Sequence, residues 1–148
     1  MEKESLGKYI AGIYRYSQCI INKKFEGYDI GSGQQDFLYV ICNHQGISQT
    51  ELSKMLHIGK ATTTKAITHL EKVGYVRREK DLEDKRAYKL YLTEKGNEIA
   101  PLVNEAYQEM RELYGERFSV EEYIYVLNAL KKILKNLHNA KGCVECNE

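Results

Sequence analysis

The chain of 148 residues is 43% hydrophobic and 29% charged, a composition that excludes an intrinsically disordered protein. Its longest apolar runs are far shorter than the roughly 20 residues that cross a bilayer, and the start MEKESLGKYI lacks the apolar region of a secretory signal. We therefore expect a cytoplasmic protein with no membrane association, built as one domain or as a core module with helical extensions.

The positive charge is concentrated in one segment. The net charge of the whole chain is only +1, but residues 48–96 hold 11 lysines and arginines against 7 acidic residues, a net of +4. The remainder holds 11 basic and 14 acidic residues, a net of −3. This asymmetry, and not the total, indicates a segment that binds nucleic acid.

Two helices are predicted at the N-terminal end. Apolar residues recur at helical spacing over residues 4–25: Leu6, Ile10, Ile13, Ile20 and Ile21. The segment EGYDIGSG, residues 26–33, has three glycines and predicts a turn. Ser32 and Gln35 form a capping-box pattern, so a second helix is expected over about 33–43. Its predicted buried residues are Phe37, Leu38 and Ile41.

Residues 48–73 predict a helix-turn-helix. Ser48 and Glu51 form a second capping box that begins a short helix, whose inner residues are Leu52, Met55 and Leu56. A tight turn, HIGK, precedes a longer helix over residues 60–73. With Ile67 at the centre of the buried side, the opposite face is small, hydroxylated and basic. The residues of that face are Ala61, Thr62, Lys65, Thr68, His69 and Lys72.

This face suits the major groove of DNA. Small residues allow a close approach, Lys65 and His69 can donate to purine acceptors, and threonine hydroxyls can bond to bases or phosphates. A winged-helix module that binds another protein is the alternative, and an acidic or apolar face would favour that interpretation.

A β-hairpin is predicted directly after Gly74, which we expect to end the helix. YVRRE, residues 75–79, and AYKLYLT, residues 87–93, are rich in β-branched and aromatic residues, and the seven residues between them are nearly all charged. A helix-turn-helix followed by such a hairpin is a winged helix. Arg86 is long enough to reach a minor groove. Asp84 is expected to brace the tip by bonding to backbone N–H groups or to an arginine.

Two long helices are predicted after the hairpin. Thr93 can cap the first, which runs to about Tyr114 and contains Pro101. Its predicted inner residues are Ile99, Leu102, Val103, Ala106 and Met110. Ser119 and Glu122 form another capping box for the last helix, about 120–138. That helix is expected to bury Ile124, Leu127, Leu130, Ile133, Leu134 and Leu137.

These residues resemble the MarR family of bacterial transcriptional regulators. The family's wing pattern, Asp-x-x-Asp-x-Arg followed after five residues by Leu-Thr and often Glu-Lys-Gly, is present as Asp81, Asp84, Arg86 and the segment 92–96. The order of predicted elements also fits over nearly the whole chain. The chain departs from the family at Lys65, where arginine is common, at Thr63, which is usually aliphatic, and at Gly59, which replaces a serine or threonine.

The resemblance implies a homodimer that binds one palindromic site on double-stranded DNA, with helix 60–73 in the major groove and wing 75–93 in the minor groove. The expected fold class is mainly α with a small β-hairpin wing, a winged helix-turn-helix with flanking dimerisation helices. Residues 1–30 would form an N-terminal dimerisation helix, 31–96 the DNA-binding domain, 97–140 the C-terminal dimerisation helices and 141–148 a flexible tail. The amphipathic helices support a dimer independently, because their apolar surface exceeds what a module of about 50 residues can cover.

The residues expected to contact DNA are polar or small and lie on the helix-turn-helix and the wing. They are Ser48, Thr50, Lys60, Ala61, Thr62, Thr64, Lys65, Thr68, His69, Lys72, Arg77, Arg78, Lys85 and Arg86.

Regulation by a small aromatic effector is also implied by the resemblance, because many family members release DNA when a phenolic molecule enters a pocket beside the dimerisation helices. The chain would then be a repressor, and Tyr14 and Tyr39 are the candidate contacts. Tyrosines that line a dimer interface or the rim of the core are the alternative interpretation.

A redox- or metal-responsive regulator is a further alternative. Without a secretory signal, the four cysteines are expected to be reduced thiols. Cys19 lies in the first helix near the apolar stripe, where a buried inert thiol is expected and an oxidant sensor is the alternative. The spacing of Cys143 and Cys146 suits zinc or a thiol pair, and a mobile chain end is the alternative interpretation. We expect no cofactor and no enzymatic activity, since the sequence has no phosphate loop, no HExxH motif and no nucleophile elbow.

Overall fold

A computed structural model describes residues 4–140, and over that range the chain forms six helices and one small antiparallel sheet. The helices are α1 Leu6–Lys24, α2 Gln34–Asn43, α3 Gln49–Leu56, α4 Lys60–Lys72, α5 Glu94–Gly115 and α6 Val120–His138. The strands are β1 Ile47–Ser48, β2 Val76–Lys80 and β3 Tyr88–Leu92. The predicted mainly α fold with a winged helix-turn-helix is confirmed. None of the described helices is both long enough and apolar enough to cross a membrane.

The sheet has one strand that the sequence did not predict. The hairpin pairs β2 with β3 in the register Val76 to Leu92, and β1 adds to the other side of β3 with Ile47 opposite Leu90. The Gly46 N–H extends this ladder by donating to the Leu90 carbonyl oxygen at 2.8 Å. Two residues are too few to show the alternation that identifies a strand in a sequence. β1 is defined only by its pairing with β3, which lies more than 40 residues away.

One hydrophobic core joins the helix-turn-helix to α2, α5 and the sheet. Phe37, Leu38 and Ile41 of α2 are buried as predicted, and α5 contributes Ile99 and Val103 from the side that faces them. Leu52, Ile67, Leu70 and Leu90 are completely buried. Helix α4, the second helix of the helix-turn-helix, is therefore held by burial of its inner face, which stabilises it more than its own helix propensity can.

Three of the four predicted helix caps are confirmed and one is wrong. Ser48 with Glu51 and Ser119 with Glu122 form complete capping boxes, and Thr93 caps α5 by accepting from the Gly96 N–H at 3.0 Å. The box expected from Ser32 and Gln35 does not form, and Gly33 occupies the cap position of α2 with a φ of 81°.

The Gln35 side chain is buried and bonds to α1 instead. Its Nε2 donates to Asn22 Oδ1 at 2.7 Å and lies 3.3 Å from Gln18 Oε1. The Ser32 hydroxyl in turn accepts from Asn22 Nδ2 at 2.9 Å. Both residues of the expected box thus satisfy polar groups of a neighbouring helix, a contact that local spacing does not encode.

The apolar stripes of the terminal helices are exposed, contrary to the burial expected from their periodicity. No residue of α6 is buried in the single chain, and five of the residues expected inside are exposed. These five are Ile124, Leu127, Leu130, Leu134 and Leu137. On α1 only Ile21 is buried, while Leu6, Ile10, Ile13 and Ile20 are exposed. Met55 of α3 is also exposed rather than inside.

The segment after the wing closes tightly on the end of α4. Gly74 ends α4 with a φ of 89°, and the Tyr75 N–H donates to the Leu70 carbonyl oxygen at 2.9 Å. Thr93 Oγ1 donates to the Gly74 carbonyl oxygen at 2.5 Å, and Lys95 Nζ donates to the Val73 carbonyl oxygen at 2.6 Å. These bonds satisfy backbone acceptors that the helix end leaves unpaired.

We predict that Gly96→Ala lowers the free energy of unfolding by about 3 kcal/mol, because a Cβ there would overpack the junction. It would lie 2.2 Å from the Tyr75 carbonyl oxygen and 3.1 Å from Leu92 Cβ. Urea denaturation followed by circular dichroism measures the loss. Gly7→Ala is the matched control, since its nearest atom is 3.6 Å away and the change should stay within about 1 kcal/mol. Equal stability of both variants would contradict this packing.

Candidate nucleic-acid interface

Apart from His69, the two faces of α4 are divided as the helical spacing predicted. Thr63, Ala66, Ile67 and Leu70 are buried against the core. The exposed residues are Lys60, Ala61, Thr62, Thr64, Lys65, Thr68 and Lys72. The outer face therefore presents lysine and threonine side chains with small residues between them, which allows close approach to a polar surface.

A pair of hydroxyl groups lies beneath this face. Thr63 has no exposed surface, its Oγ1 donates to the Gly59 carbonyl oxygen at 3.0 Å, and it accepts from the Ser53 hydroxyl at 2.8 Å. The bond to Gly59 is made at the helix start, where glycine supplies no side-chain cap. Thr63 therefore packs as a small buried residue whose hydroxyl is satisfied by α3 and by its own helix.

Gln49 joins the start of α3 to α4 and was missed at the sequence level. Its Nε2 donates to Thr64 Oγ1 at 2.7 Å, and Thr64 Oγ1 donates its own proton to the Lys60 carbonyl oxygen at 2.9 Å. A threonine hydroxyl has one proton, so Thr64 keeps no donor for DNA and its expected role narrows to accepting. The feature of the sequence that could have indicated this contact is that Gln49 directly follows the cap residue Ser48.

Ser48 and Thr50 lie at the N-terminus of α3. The Ser48 hydroxyl oxygen accepts from the Glu51 N–H at 3.1 Å within the capping box. Its O–H proton is not used by that bond and can still be donated. Thr50 is exposed.

His69 differs from its expected place on the open outer face. It is half-buried, and its Nε2 lies 2.8 Å from the backbone carbonyl oxygen of Asp29, in the loop between α1 and α2. A helical projection gives the direction in which the His69 side chain leaves α4, but it cannot show that another segment covers this position.

Arg77 and Arg78 are held by contacts within the chain. Arg77 forms an ion pair with Glu79, and its guanidinium lies 4.7 Å from the centre of the Tyr91 ring. Arg78 Nε lies 2.6 Å from a carboxylate oxygen of Glu71, which belongs to α4. Both arginines were expected to contact DNA. In the structure Arg77 contacts side chains of the wing itself, and Arg78 connects the wing to α4.

The wing tip is organised by two aspartates. Asp84 Oδ1 accepts from the Arg86 N–H at 3.0 Å, and Asp81 Oδ1 accepts from the Glu83 N–H at 2.9 Å. These are the short-range side-chain bonds typical of turns. They leave the exposed Lys85 and Arg86 side chains at the end of the hairpin.

Five of the expected contact residues have a cationic group that forms no ion pair with any acid in residues 4–140. They are Lys60, Lys65, Lys72, Lys85 and Arg86. Three lie on α4 and two at the wing tip, which are the two projecting elements of the winged helix. An extended polyanion can contact both at once.

The candidate effector contacts are not brought into one pocket. Tyr14 is exposed on α1, whereas Tyr39 stacks on Tyr107 with 4.0 Å between ring centres and accepts from Arg111 at 2.9 Å. Burial and the neighbouring Asp36 carboxylate raise the pKa of Tyr107, so its hydroxyl stays protonated. An apolar groove of about 450 Å³ between α1 and α5 is lined by other tyrosines: Tyr9, Tyr16 and Tyr114.

The cysteine candidates have different environments. Cys19 is an exposed thiol on α1, so the expectation that it is buried is wrong, because it faces away from Ile21, the one residue of α1 that is buried. Burial raises the pKa of Cys42 to about 11, so that thiol is protonated at neutral pH. Cys143 and Cys146 lie outside the described residues. Within residues 4–140 no group of three or more histidine, cysteine or acidic side chains is arranged to hold a metal ion.

Comparisons with known proteins show which proteins this chain is similar to. The MarR family model matches residues 32–88. The uncharacterized HTH-type transcriptional regulator YybA of Bacillus subtilis is 30% identical over 86% of this chain and 85% of its own length. A MarR transcriptional regulator from Methanosarcina mazei Go1 is 40% identical, with a TM-score of 0.77, over 90% of this chain and 96% of that structure. A MarR family regulator from Listeria monocytogenes, solved with a 26mer DNA, is 30% identical, with a TM-score of 0.84, over 91% of this chain and 90% of that structure.

We predict that Thr63→Val lowers the free energy of unfolding by about 1–3 kcal/mol, because it leaves the buried Ser53 hydroxyl without its acceptor. Urea denaturation is again the measurement. The double variant Ser53→Ala, Thr63→Val removes both polar groups and should recover most of that loss. Ser53→Ala alone leaves the Thr63 bond to Gly59 intact and should have the smaller effect. A double variant less stable than Thr63→Val would refute the hydroxyl pair.

Proposed function

The chain belongs to the MarR family and is a helix-turn-helix transcriptional regulator, and from this premise we propose that two copies bind one palindromic operator on double-stranded DNA. Helix α4 enters the major groove of each half-site and the wing tip enters the adjacent minor groove. The observation that carries the proposal is that five exposed cations without an ion pair in residues 4–140 lie together with threonines on the outer face of α4 and at the end of the hairpin. The Listeria relative solved with a 26mer DNA supports it.

The contacts in this proposal follow the geometry of each side chain. Lys65 and Thr62 lie exposed near the start of α4 and are the proposed base contacts, with Ala61 giving room for close approach. Arg86 is the proposed minor-groove contact, since the negative potential of a narrow groove favours a guanidinium group. Ser48, Thr50, Lys60, Thr68, Lys72 and Lys85 are the proposed backbone contacts.

Dimerisation is proposed through α1, α5 and α6. Most of the apolar stripe of α6 is exposed and none of it is buried, and the groove between α1 and α5 has an apolar floor that includes Ile13, Ile20 and Leu113. Such surfaces are too extensive for a stable monomer in water, and a second copy would cover them. In a two-fold dimer the two α4 helices would face half-sites about 34 Å apart, one turn of the duplex.

Release of DNA by a small aromatic effector remains part of the proposal, with the protein acting as a repressor. Tyr39 supports it, because its ring stacks on Tyr107 and its hydroxyl accepts from Arg111. These are the two kinds of contact, stacking and a hydrogen bond, that a flat phenolic molecule would use. Tyr14 has no comparable contact among the described residues and serves as a surface or interface residue in this scheme.

The competing classes have less support. A module that binds proteins would be favoured by an apolar or acidic outer face on α4, whereas this face is basic and polar. The relatives are named as transcriptional regulators, and we propose that the chain acts in the cytoplasm by binding and not by catalysis.

We predict that Arg86→Ala weakens binding to an operator selected from a random duplex library by the wild-type protein. The slope of log K against log salt is negative, and it should become less negative by about 0.9 for each phosphate-equivalent charge lost; a dimer loses two such charges. Fluorescence anisotropy across a salt series measures both quantities. Lys23→Ala, which removes an exposed cation from α1, is the matched control and should leave the slope unchanged. An Arg86→Ala protein with wild-type slope and affinity would remove the wing from the interface.

We predict that Leu130→Arg converts the dimer into a monomer, because an unpaired guanidinium would be buried in an apolar interface. Sedimentation equilibrium gives the mass directly. Asn128→Arg places the same group on the same helix outside the apolar stripe, and it should leave the dimer intact. A wild-type protein that sediments as a monomer at micromolar concentration would contradict dimerisation.

A further inference from the structure

Two hydrogen bonds connect the end of the recognition helix to the loop that follows α1. His69, in the last turn of α4, places Nε2 at 2.8 Å from the Asp29 carbonyl oxygen. Tyr75, just beyond α4, donates its hydroxyl proton to the Tyr28 carbonyl oxygen at 2.7 Å. The acceptors are consecutive residues, and each donor is at least 40 residues away in sequence. We call these four residues the loop latch.

The first bond fixes the protonation of the imidazole ring. A carbonyl oxygen can only accept, so Nε2 must be the nitrogen that carries the proton. In neutral His69 the remaining nitrogen, Nδ1, is then an acceptor. The neutral ring therefore has no proton left to donate to the N7 or O6 atoms of a purine, which was the role that its helical position had indicated.

In the bond between Tyr75 and Tyr28, the Tyr75 hydroxyl must be the donor, because the backbone carbonyl oxygen can only accept. Tyr75 is only 4% exposed, and burial, followed by the charge of the Asp29 carboxylate, raises the pKa of its hydroxyl. It therefore remains a protonated donor at neutral pH. The Lys95 ammonium lies 4.4 Å from the centre of its ring and holds that ring in place from the α5 side.

The loop itself is held at its beginning. Phe25 is buried in the core with 3% exposure, and its carbonyl oxygen accepts from the Tyr28 N–H at 3.2 Å. Gly27 and Asp29 both have positive φ values, of 85° and 56°. Aspartate tolerates this conformation better than most residues, but it persists only where surrounding contacts maintain it. The latch supplies two such contacts.

We propose that His69 and Tyr75 are positioning residues that set the orientation of the recognition helix relative to the dimerisation helix α1, and that His69 is not a base contact. This inference rests on the proposed function, because α1 must lie at the dimer interface for the orientation to matter to DNA. The latch then determines the separation of the two α4 helices, and through it the half-site spacing that the dimer accepts.

The bond is tested first without DNA. In a long-range ¹H–¹⁵N spectrum at a pH where histidine is neutral, His69 should show only the Nε2–H form, assigned by its loss in His69→Gln. Asp29→Asn keeps the backbone acceptor and should leave the signal unchanged. Rapid averaging of the two tautomers, an Nδ1–H form, or a signal lost in Asp29→Asn would overturn the assignment.

The positioning role is tested with DNA selected by the wild-type protein from a random duplex library. Binding is measured to this site, to the same site with one base pair inserted at its centre, and to a set with single base changes in both half-sites. His69→Ala and Tyr75→Phe should each reduce the preference for the original spacing by about fivefold, the effect of one lost hydrogen bond. The order of preference among single base changes should stay that of the wild type.

His69→Gln provides the rescue, because its side-chain amide can donate to the Asp29 carbonyl oxygen, and it should recover spacing preference toward the wild-type value. Lys23→Ala, an exposed change in the last turn of α1 that is close to the latch in sequence and is no proposed DNA contact, is the matched control and should keep that preference. A changed base preference in His69→Ala with spacing preference intact would make His69 a base contact and overturn the proposal. Spacing preference unchanged in both latch variants would also overturn it.

Failure of the proposed function would look different from failure of the latch. A wild-type protein that selects no DNA sequence would refute operator binding, whereas the tautomer of His69 would still report whether the bond exists. Selection of DNA by a protein whose latch variants behave as wild type would refute only the positioning role.

Discussion

The junction at which α4 ends and α5 begins is the constraint on which the rest of the structure depends. Two backbone carbonyl groups at the end of α4 accept from Thr93 and Lys95, and the Thr93 N–H donates to the Tyr75 carbonyl oxygen at 3.0 Å. Gly96 allows this approach because any Cβ would collide with that same oxygen. The recognition helix, the base of the wing and the long helix α5 thus meet through backbone contacts that leave little room for independent motion.

The arginines of β2 and the cations of the wing tip have different surroundings. Arg77 and Arg78 lie on β2, near the junction, and are engaged by Glu79 and Glu71. Their role is to hold the hairpin to itself and to α4. Lys85 and Arg86 lie at the far end, where aspartates organise the turn and form no ion pair with either cation in residues 4–140. Cations near the base are used for structure, and those at the tip are available to an anionic partner.

The helices outside the winged helix have the opposite character. α6 has no buried residue, and α1 has only one, although both have regular apolar stripes. A stripe of this kind is stable in water only when something covers it. In the proposed dimer a second copy covers it, and the loop at the end of α1 is hydrogen-bonded to His69 and Tyr75. Displacement of α1 would therefore be transmitted to the recognition helix through these two hydrogen bonds.

The sequence by itself determined the features that are written in neighbouring residues. Helical spacing identified the inner face of α4, two complete capping boxes located the starts of α3 and α6, and alternation with a charged turn identified the hairpin. Only the tertiary structure decided which partners complete these elements. Gln35 bonds to Asn22 of α1 instead of capping α2, and β1 is a strand because Ile47 pairs with Leu90 of β3. His69 bonds to the Asp29 carbonyl oxygen, 40 residues away in sequence. Periodicity specifies the direction in which a side chain leaves its own element, but not which group lies there, because that group is supplied by a distant segment.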